Sequence, residues 1–258
     1  MSELKIVLDD CLHFLSQEDA GKYSLVFVDA PYNTGIRQER NRTDGTDDFG
    51  YDDFGYDDFH EFLFPRLKEA RRVLKDDGSL FLMLDYREVH YAKVWLDEIF
   101  GRKSFKNEII WAYDYGARSK DRWPCKHDNI LWYAKNPKQY TFNYDAIDRI
   151  PYMAPELQKD SEKVLLGKTP TDVWWNTIVP TQGSEKTGYA TQKPHKIIDR
   201  IVRVHSNPDD WCLDFFAGSG TFGESCCKLG RNCVCVDKNE DAVNVMRERF
   251  GAIQMEMF

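Results

Sequence analysis

Apolar and polar positions change period several times along the chain. LKIVL (4–8), SLVFV (24–28) and SLFLML (79–84) are apolar runs of strand length, each bounded by polar or turn residues. NEIIWAY (107–113), NILWYAK (129–135), WCLDFF (211–216) and NCVCVD (232–237) predict further strands. Between them, apolar residues three and four apart predict helices: a short one from Cys11, then 59–74, 87–100, 194–206, 220–230 and 240–250. The helix FHEFLFPRLKEARRVL (59–74) is expected to stop at Lys75-Asp76-Asp77-Gly78, and the next at Gly101. Residues 136 to 190 show no period. They are polar, rich in Trp, Tyr, Pro and Thr, and read as irregular.

Strands alternating with helices imply a mostly parallel sheet covered on both faces. Ligands of such sheets bind beyond the carboxyl ends of the strands. Two predicted strands run into conspicuous sequences there, at 29–32 and 214–221. In one sheet, both would face one cleft.

Composition sharpens this picture in three places. The 258 residues leave room for one large α/β domain with a smaller insert. No apolar run approaches the ~20 residues of a membrane span. The start, MSELKIVLDD, lacks the basic and apolar regions of a signal peptide, so a cytoplasmic location is expected.

The net charge of −8 is concentrated: residues 44 to 58 carry seven Asp and no Lys or Arg, which leaves −1 for the rest. Residues 102 to 138 carry nine Lys or Arg against four acids, a local +5. Nucleic-acid phosphates respond to that local face rather than to the total. Inside the acidic stretch, DDFGYDDFGYDDF repeats every five residues, which matches neither helix nor strand. It reads as a solvated loop; its place just after Asn33-Thr34-Gly35 makes it a candidate lid.

Five of the seven cysteines fall between Cys212 and Cys235, with no CxxC pair. That spacing predicts small buried side chains of a reduced protein and no metal site.

DFFAGSGT (214–221) is a strand end, a Gly-rich turn and a helix start. Gly218 and Gly220 allow a ligand close to the backbone, and the helix N-terminus favours a negative group. No Lys follows, so it is not a phosphate-binding P-loop; GxGxxG is absent, which disfavours a dinucleotide. The next strand ends in Asp237, placed to accept hydrogen bonds from ribose hydroxyls. A nucleoside carrying a carboxylate fits this half-site.

SLVFVDAPYNTG (24–35) ends a buried strand in a carboxylate, a proline and an aromatic ring. Pro31 holds Ala30 extended, Asp29 offers acceptors, and the Tyr32 ring can stack on a base. Two acceptors beside a ring suit a flat group bearing NH2. The lone pair of a nucleobase amine is delocalised into its ring. Accepting its N–H bonds draws the nitrogen toward tetrahedral geometry, and a carboxylate stabilises the positive charge that forms as it attacks.

DAPY at 29–32, TQKPHKIIDRIV at 191–202 and DFFAGSGT at 214–221 resemble three motifs of the S-adenosylmethionine-dependent amino-methyltransferases of DNA. Their order along the chain resembles the β group of that family. The resemblance implies an α/β, Rossmann-like methyltransferase sheet of about seven strands, circularly permuted. Residues 1–137 and 191–258 would form the catalytic and cofactor-binding domain, and 138–190 a target-recognition insert.

It further implies that Asp29, Ala30, Pro31 and Tyr32 hold a flipped base. Asp29, Thr191, Lys193, Asp214, Phe216, Ala217, Gly218, Ser219, Gly220 and Thr221 would surround S-adenosylmethionine. Lys193 would lie near its carboxylate, Asp237 would bind the ribose and Asp10 the adenine. One departure is Ala30, where the family usually has proline.

Flipping costs a few kcal/mol, which groove contacts must offset. Arg118, Lys120, Arg122, Trp123 and Lys126, in YGARSKDRWPCKHDN (115–129), are the candidate DNA contacts. Aspartate at the first motif position resembles the adenine-N6 enzymes; cytosine-N4 transfer is the alternative, with an RNA methyltransferase or an inactive DNA-binding relative behind it. Double-stranded DNA is the implied substrate; a cognate restriction endonuclease and a second copy of the chain are the implied partners.

Overall fold

The computed structural model describes residues 2–38, 51–53, 55, 58–116, 118–180, 185–189 and 191–256. Among the described residues, ten strands and seven α-helices follow one another in chain order. They are β1 (Leu4–Leu8), α1 (Cys11–Gln17), β2 (Tyr23–Asp29), β3 (Ile36–Gln38), β4 (Tyr51–Asp53) and α2 (Phe59–Val73). Then come β5 (Leu74–Leu84), α3 (Val89–Phe100), β6 (Phe105–Ala112), β7 (His127–Ala134), α4 (Ser161–Leu166) and β8 (Val173–Trp175). The last are α5 (His195–His205), β9 (Trp211–Asp214), α6 (Thr221–Lys228), β10 (Asn232–Asp237) and α7 (Glu240–Glu256).

Eight strands form one sheet in the order β1-β10-β9-β2-β5-β7-β6-β8. From β1 to β5 every neighbour is parallel; β7 runs antiparallel to both β5 and β6. This is the permuted α/β sheet that the sequence predicts, with one strand more than the expected seven. The extra strand, β8, comes from the segment expected to be irregular and pairs in parallel with β6 at the sheet edge. Three residues carry no readable period, so tertiary pairing alone defines it. β3 and β4 form a separate antiparallel ribbon.

Side-chain alternation divides the core in two. Val26 and Val28 of β2 face α1, α2 and α3, whereas Leu25 and Phe27 face α5, α6 and α7. Strands buried on both faces read as unbroken apolar runs for this reason.

Two local expectations are corrected. Lys75–Gly78 do not separate α2 from the strand; β5 begins at Leu74, and its pairing with β2 jumps from Tyr23–Leu74 to Leu25–Ser79. The polar residues bulge out of the ladder instead of ending the chain's extended path. Phe215 and Phe216 lie beyond β9, which stops at Asp214. Most of the acidic repeat, and with it the expected lid, lies outside the described residues; Tyr51–Asp53, expected to be loop, pair with Ile36–Gln38 as a strand because the backbone hydrogen bonds of a partner strand, not a sequence period, define it.

Parts of residues 138–180 contact the sheet domain. Beyond β8, Arg200 on α5 grips Asp148 with two hydrogen bonds of 2.7 and 2.6 Å. Among the described residues, no helix is long and apolar enough to cross a membrane.

Candidate active site

The strand order brings four carboxylates to one edge. Asp10 follows β1, while Asp237, Asp214 and Asp29 end the next three strands. At the β9–β2 junction the following helices diverge: α2 returns over one face of the sheet and α6 over the other. That divergence opens a crevice. A cleft of about 610 Å³ occupies it, lined by the expected Asp10, Asp29, Ala30, Pro31, Tyr32, Thr191, Lys193, Asp214, Phe216, Ala217, Gly218, Ser219, Thr221 and Asp237. Gly220 is not among its walls; it serves as the left-handed N-cap of α6, at φ 75°.

The Gly-rich turn is held from behind. Gly218 N donates to Asp237 Oδ2 at 2.8 Å, and Asn239 N donates to Oδ1 at 2.8 Å. Arg249 on α7 donates to the Ser219 carbonyl at 2.8 Å and to the Thr221 hydroxyl at 3.1 Å, and it contacts Glu224. His195, opening α5, donates from Nε2 to Glu224 Oε2 at 3.0 Å. Burial alone would lower the His195 pKa, but ties to Asp199 and Glu224 raise it to about 9. Asp214 is buried and receives a bond from Phe216 N at 3.0 Å. Burial, with Asp29 and Asp237 nearby, lifts its carboxyl well above the usual range.

At the far end of the cleft, Lys193 Nζ lies 2.6 Å from Asp29 Oδ2. Burial raises the Asp29 carboxyl above the ordinary carboxylate range, while Lys193 and the Tyr32 hydroxyl pull it back. The resemblance places Lys193 beside a cofactor carboxylate; here it is the cationic partner of the motif aspartate. It also sits 5.1 Å from the centre of the Tyr32 ring. Tyr32 donates toward Asp29 Oδ1 at 3.4 Å and Asp128 Oδ2 at 3.1 Å.

Asp10 caps α1, accepting from Leu12 N at 2.8 Å, and its other oxygen meets Arg66 at 3.0 Å. Arg66 lies 4.2 Å from the centre of the Phe62 ring, and both line the cleft. The sequence does not point to Arg66, Phe62, Tyr189, Asp128 or Arg249. Arg66, Phe62, Asp128 and Arg249 join the site from distant parts of the chain, and nothing local marks them; Tyr189 lies two residues before Thr191, outside the motif.

The candidate DNA contacts lie in the 113–126 connection between β6 and β7. Asp29 pairs with Met83 and Met83 with Ile130, so this connection leaves the sheet at the edge where Asp29 sits. Arg118, Lys120, Arg122 and Trp123 are exposed, Trp123 to 93%. Arg118 pairs with Asp114 at 2.7 Å, and Lys126 is half-buried and bonds the Tyr115 carbonyl. All five cysteines from Cys212 to Cys235 are buried free thiols, as expected.

A permuted sheet with a Gly-rich turn and an Asp-Ala-Pro-Tyr corner in one cleft defines a methyltransferase of the amino-directed class. The chain matches the model of the N6/N4 family, described as DNA methylase, over residues 23–248, and belongs to that family. It is 30% identical over 253 residues to the DNA adenine methyltransferase YhdJ of Escherichia coli, covering 93% of this chain and 80% of that protein. It is 28% identical over 248 residues to the type II methyltransferase M.HpaI of Haemophilus parainfluenzae, covering 96% and 74%.

Among solved structures, the M1.HpyAVI–SAM complex aligns with a TM-score of 0.66 at 20% identity, over 96% of this chain and 98% of that one. The PvuII DNA methyltransferase, cytosine-N4-specific, aligns at 0.72 and 16% identity, over 97% and 87%. Both share this fold.

Proposed function

We propose that the protein transfers a methyl group from S-adenosylmethionine to the N6 amine of an adenine flipped out of double-stranded DNA. The observation that carries the reading is the shared cleft: the Asp29–Tyr32 corner and the Gly218 turn line one continuous cavity.

The cleft fits the cofactor. A Cβ added at Gly218, where φ is +50°, would lie 3.1 Å from the Tyr189 ring, so glycine leaves a cradle that a side chain would fill. Asp237 and Asp10 offer carboxylate oxygens suited to ribose and adenine, and Phe62 and Phe216 offer apolar ring faces. When bound, the cofactor supplies an electrophilic methyl on a sulfonium.

The chain's own residues prepare the nucleophile. Lys193 favours the carboxylate form of Asp29 against a burial that favours the neutral acid. The carboxylate accepts from the target amine and stabilises the positive charge as the nitrogen attacks. Tyr32 stacks on the base. Arg118, Lys120, Arg122, Trp123 and Lys126 contact the duplex backbone, and residues 138–190 read base edges in the major groove.

Aspartate at position 29 and the resemblance to an adenine methyltransferase favour adenine over cytosine. The relatives named as type II methyltransferases fit a role beside a restriction endonuclease; a homodimer is the assembly that we propose. The test is transfer of labelled methyl from S-adenosylmethionine to unmethylated bacterial DNA, followed by nucleoside mass spectrometry. N6-methyladenine is the expected product; N4-methylcytosine would overturn the choice of base, and no methylated base the enzymatic reading.

A further inference from the structure

We propose that Asp128 is a positioning residue of the methyl-transfer site, one that fixes the Tyr32 ring for the extruded base. The inference rests on the reading of the cleft as a site for a flipped adenine.

Tyr32 is carried by the connection after β2, next to Asn33 in the left-handed region at φ 57°. A ring on a connection needs an anchor on something rigid before it can serve as a stacking platform. Asp128 supplies one. It is the second residue of β7 and pairs with Trp111 of β6 inside the sheet. It is 6% exposed and does not line the cleft, so it acts through another residue rather than on the substrate.

Both of its oxygens are committed to phenols. Oδ2 accepts from Tyr32 and Oδ1 from Tyr113, each at 3.1 Å. Tyr113 follows β6 directly, so the carboxylate on β7 is gripped from the connection after β6 as well as from that after β2. Among the described residues, Asp128 makes no ion pair.

Burying a carboxylate without a cation in contact opposes folding. Burial, and Asp29 on the other side of Tyr32, push its carboxyl up; Lys193 and the two phenols oppose that. What the arrangement provides is geometry. The Tyr32 hydroxyl lies between two carboxylates, Asp128 at 3.1 Å and Asp29 at 3.4 Å, and the outer end of the ring is held in place there.

The experiment uses the full chain and a duplex carrying the target sequence mapped with the wild-type protein. Methyl transfer is followed at steady state. The fluorescence of 2-aminopurine at the target position reports base extrusion, and calorimetry reports cofactor binding. Asp128→Ala should lower kcat about ten- to a hundredfold, the scale of one missing charge-assisted hydrogen bond. It should also change the 2-aminopurine signal and leave cofactor affinity within about twofold. Asp128→Asn keeps an acceptor oxygen for Tyr32 and should recover most of the loss.

Tyr113→Phe releases one anchor without emptying the core, and should give a smaller fall of the same kind. That variant keeps the test open if Asp128→Ala fails to fold. Wild-type kcat and fluorescence in Asp128→Ala would overturn the inference, as would Asp128→Asn as impaired as Asp128→Ala. Those results leave the functional reading standing; a wild-type protein that methylates no adenine overturns both.

Discussion

Lys193 Nζ lies 2.6 Å from Asp29 Oδ2, so the motif aspartate is ion-paired within its own cleft. Burial raises the Asp29 carboxyl and Lys193 counters it. Removing Lys193 therefore moves the carboxyl further up, and protonation begins at a higher pH. For Lys193→Met, the acidic limb of the kcat profile should shift toward neutral pH. An unshifted limb would remove Lys193 from this role. Asp29→Ala should lower kcat by about 10²–10³-fold or more, the scale of one preorganised charge-stabilising group. Cofactor binding by calorimetry should persist.

Asp237 has both carboxylate oxygens engaged by backbone N–H groups, those of Gly218 and Asn239. Asp237→Ala should weaken cofactor binding by about 1.5–3 kcal/mol, the range for a hydrogen bond to a charged group. Part of that loss would come from a loosened turn. Calorimetry checks it; unchanged affinity would refute the assignment.

Gly220 caps α6 at φ +75°, and a Cβ there would meet Met246 Cγ at 2.7 Å and Phe250 Cζ at 2.8 Å. Gly220→Ala should cost about 1–2 kcal/mol for the left-handed backbone and about 1–3 kcal/mol for overpacking. Chemical denaturation measures this. A loss below about 0.5 kcal/mol, the level of an ordinary surface change, would mean that α7 shifts aside freely.

His195 carries a folded-state pKa of about 9, against 6.5 for the free side chain. The folded state therefore binds this proton more tightly than the unfolded chain. Its contribution to stability is fully present below pH 6.5 and is lost as pH rises through about 9. Thermal melts across that window should show the decline, and His195→Gln should flatten it. Parallel slopes in the two proteins would place the titration elsewhere.

The exposed cations of the 113–126 connection make a prediction about salt. Replacing Arg118, Lys120 and Arg122 together with Gln should weaken duplex binding regardless of sequence. For every phosphate that is no longer neutralised, the log–log salt dependence should flatten by about 0.9. Binding isotherms at several salt concentrations decide it; an unchanged slope would move the DNA face elsewhere.

Much of the frame is legible because it is local. LKIVL and NCVCVD end where β1 and β10 end, since an acid follows or closes each run. DAPY, TQKPH and the Gly-rich turn are readable as motifs, and the parallel sheet then brings them together. The partners of those motifs are not readable. Tyr32 meets Asp128 across 96 positions and Arg66 meets Asp10 across 56. No local period encodes such a meeting; only the register of neighbouring strands and the packing of α2 on α1 do. β8 is hidden for a related reason, since VWW is defined by its pairing with β6 alone.

The uneven exposure of the thiols has a practical consequence. Six of the seven cysteines are buried, while Cys125 is exposed in the β6–β7 connection. Burial pushes the Cys11 thiol up to about 11 and those of Cys226 and Cys233 well above the ordinary value; the contact with Cys233, helped by burial, does the same for Cys235. The thiolate is the reactive form, so mild alkylation of the native protein singles out Cys125. A fluorophore or a disulfide tether to a thiol-bearing duplex can thus be installed without mutagenesis, beside the Arg and Lys residues proposed to contact the DNA backbone.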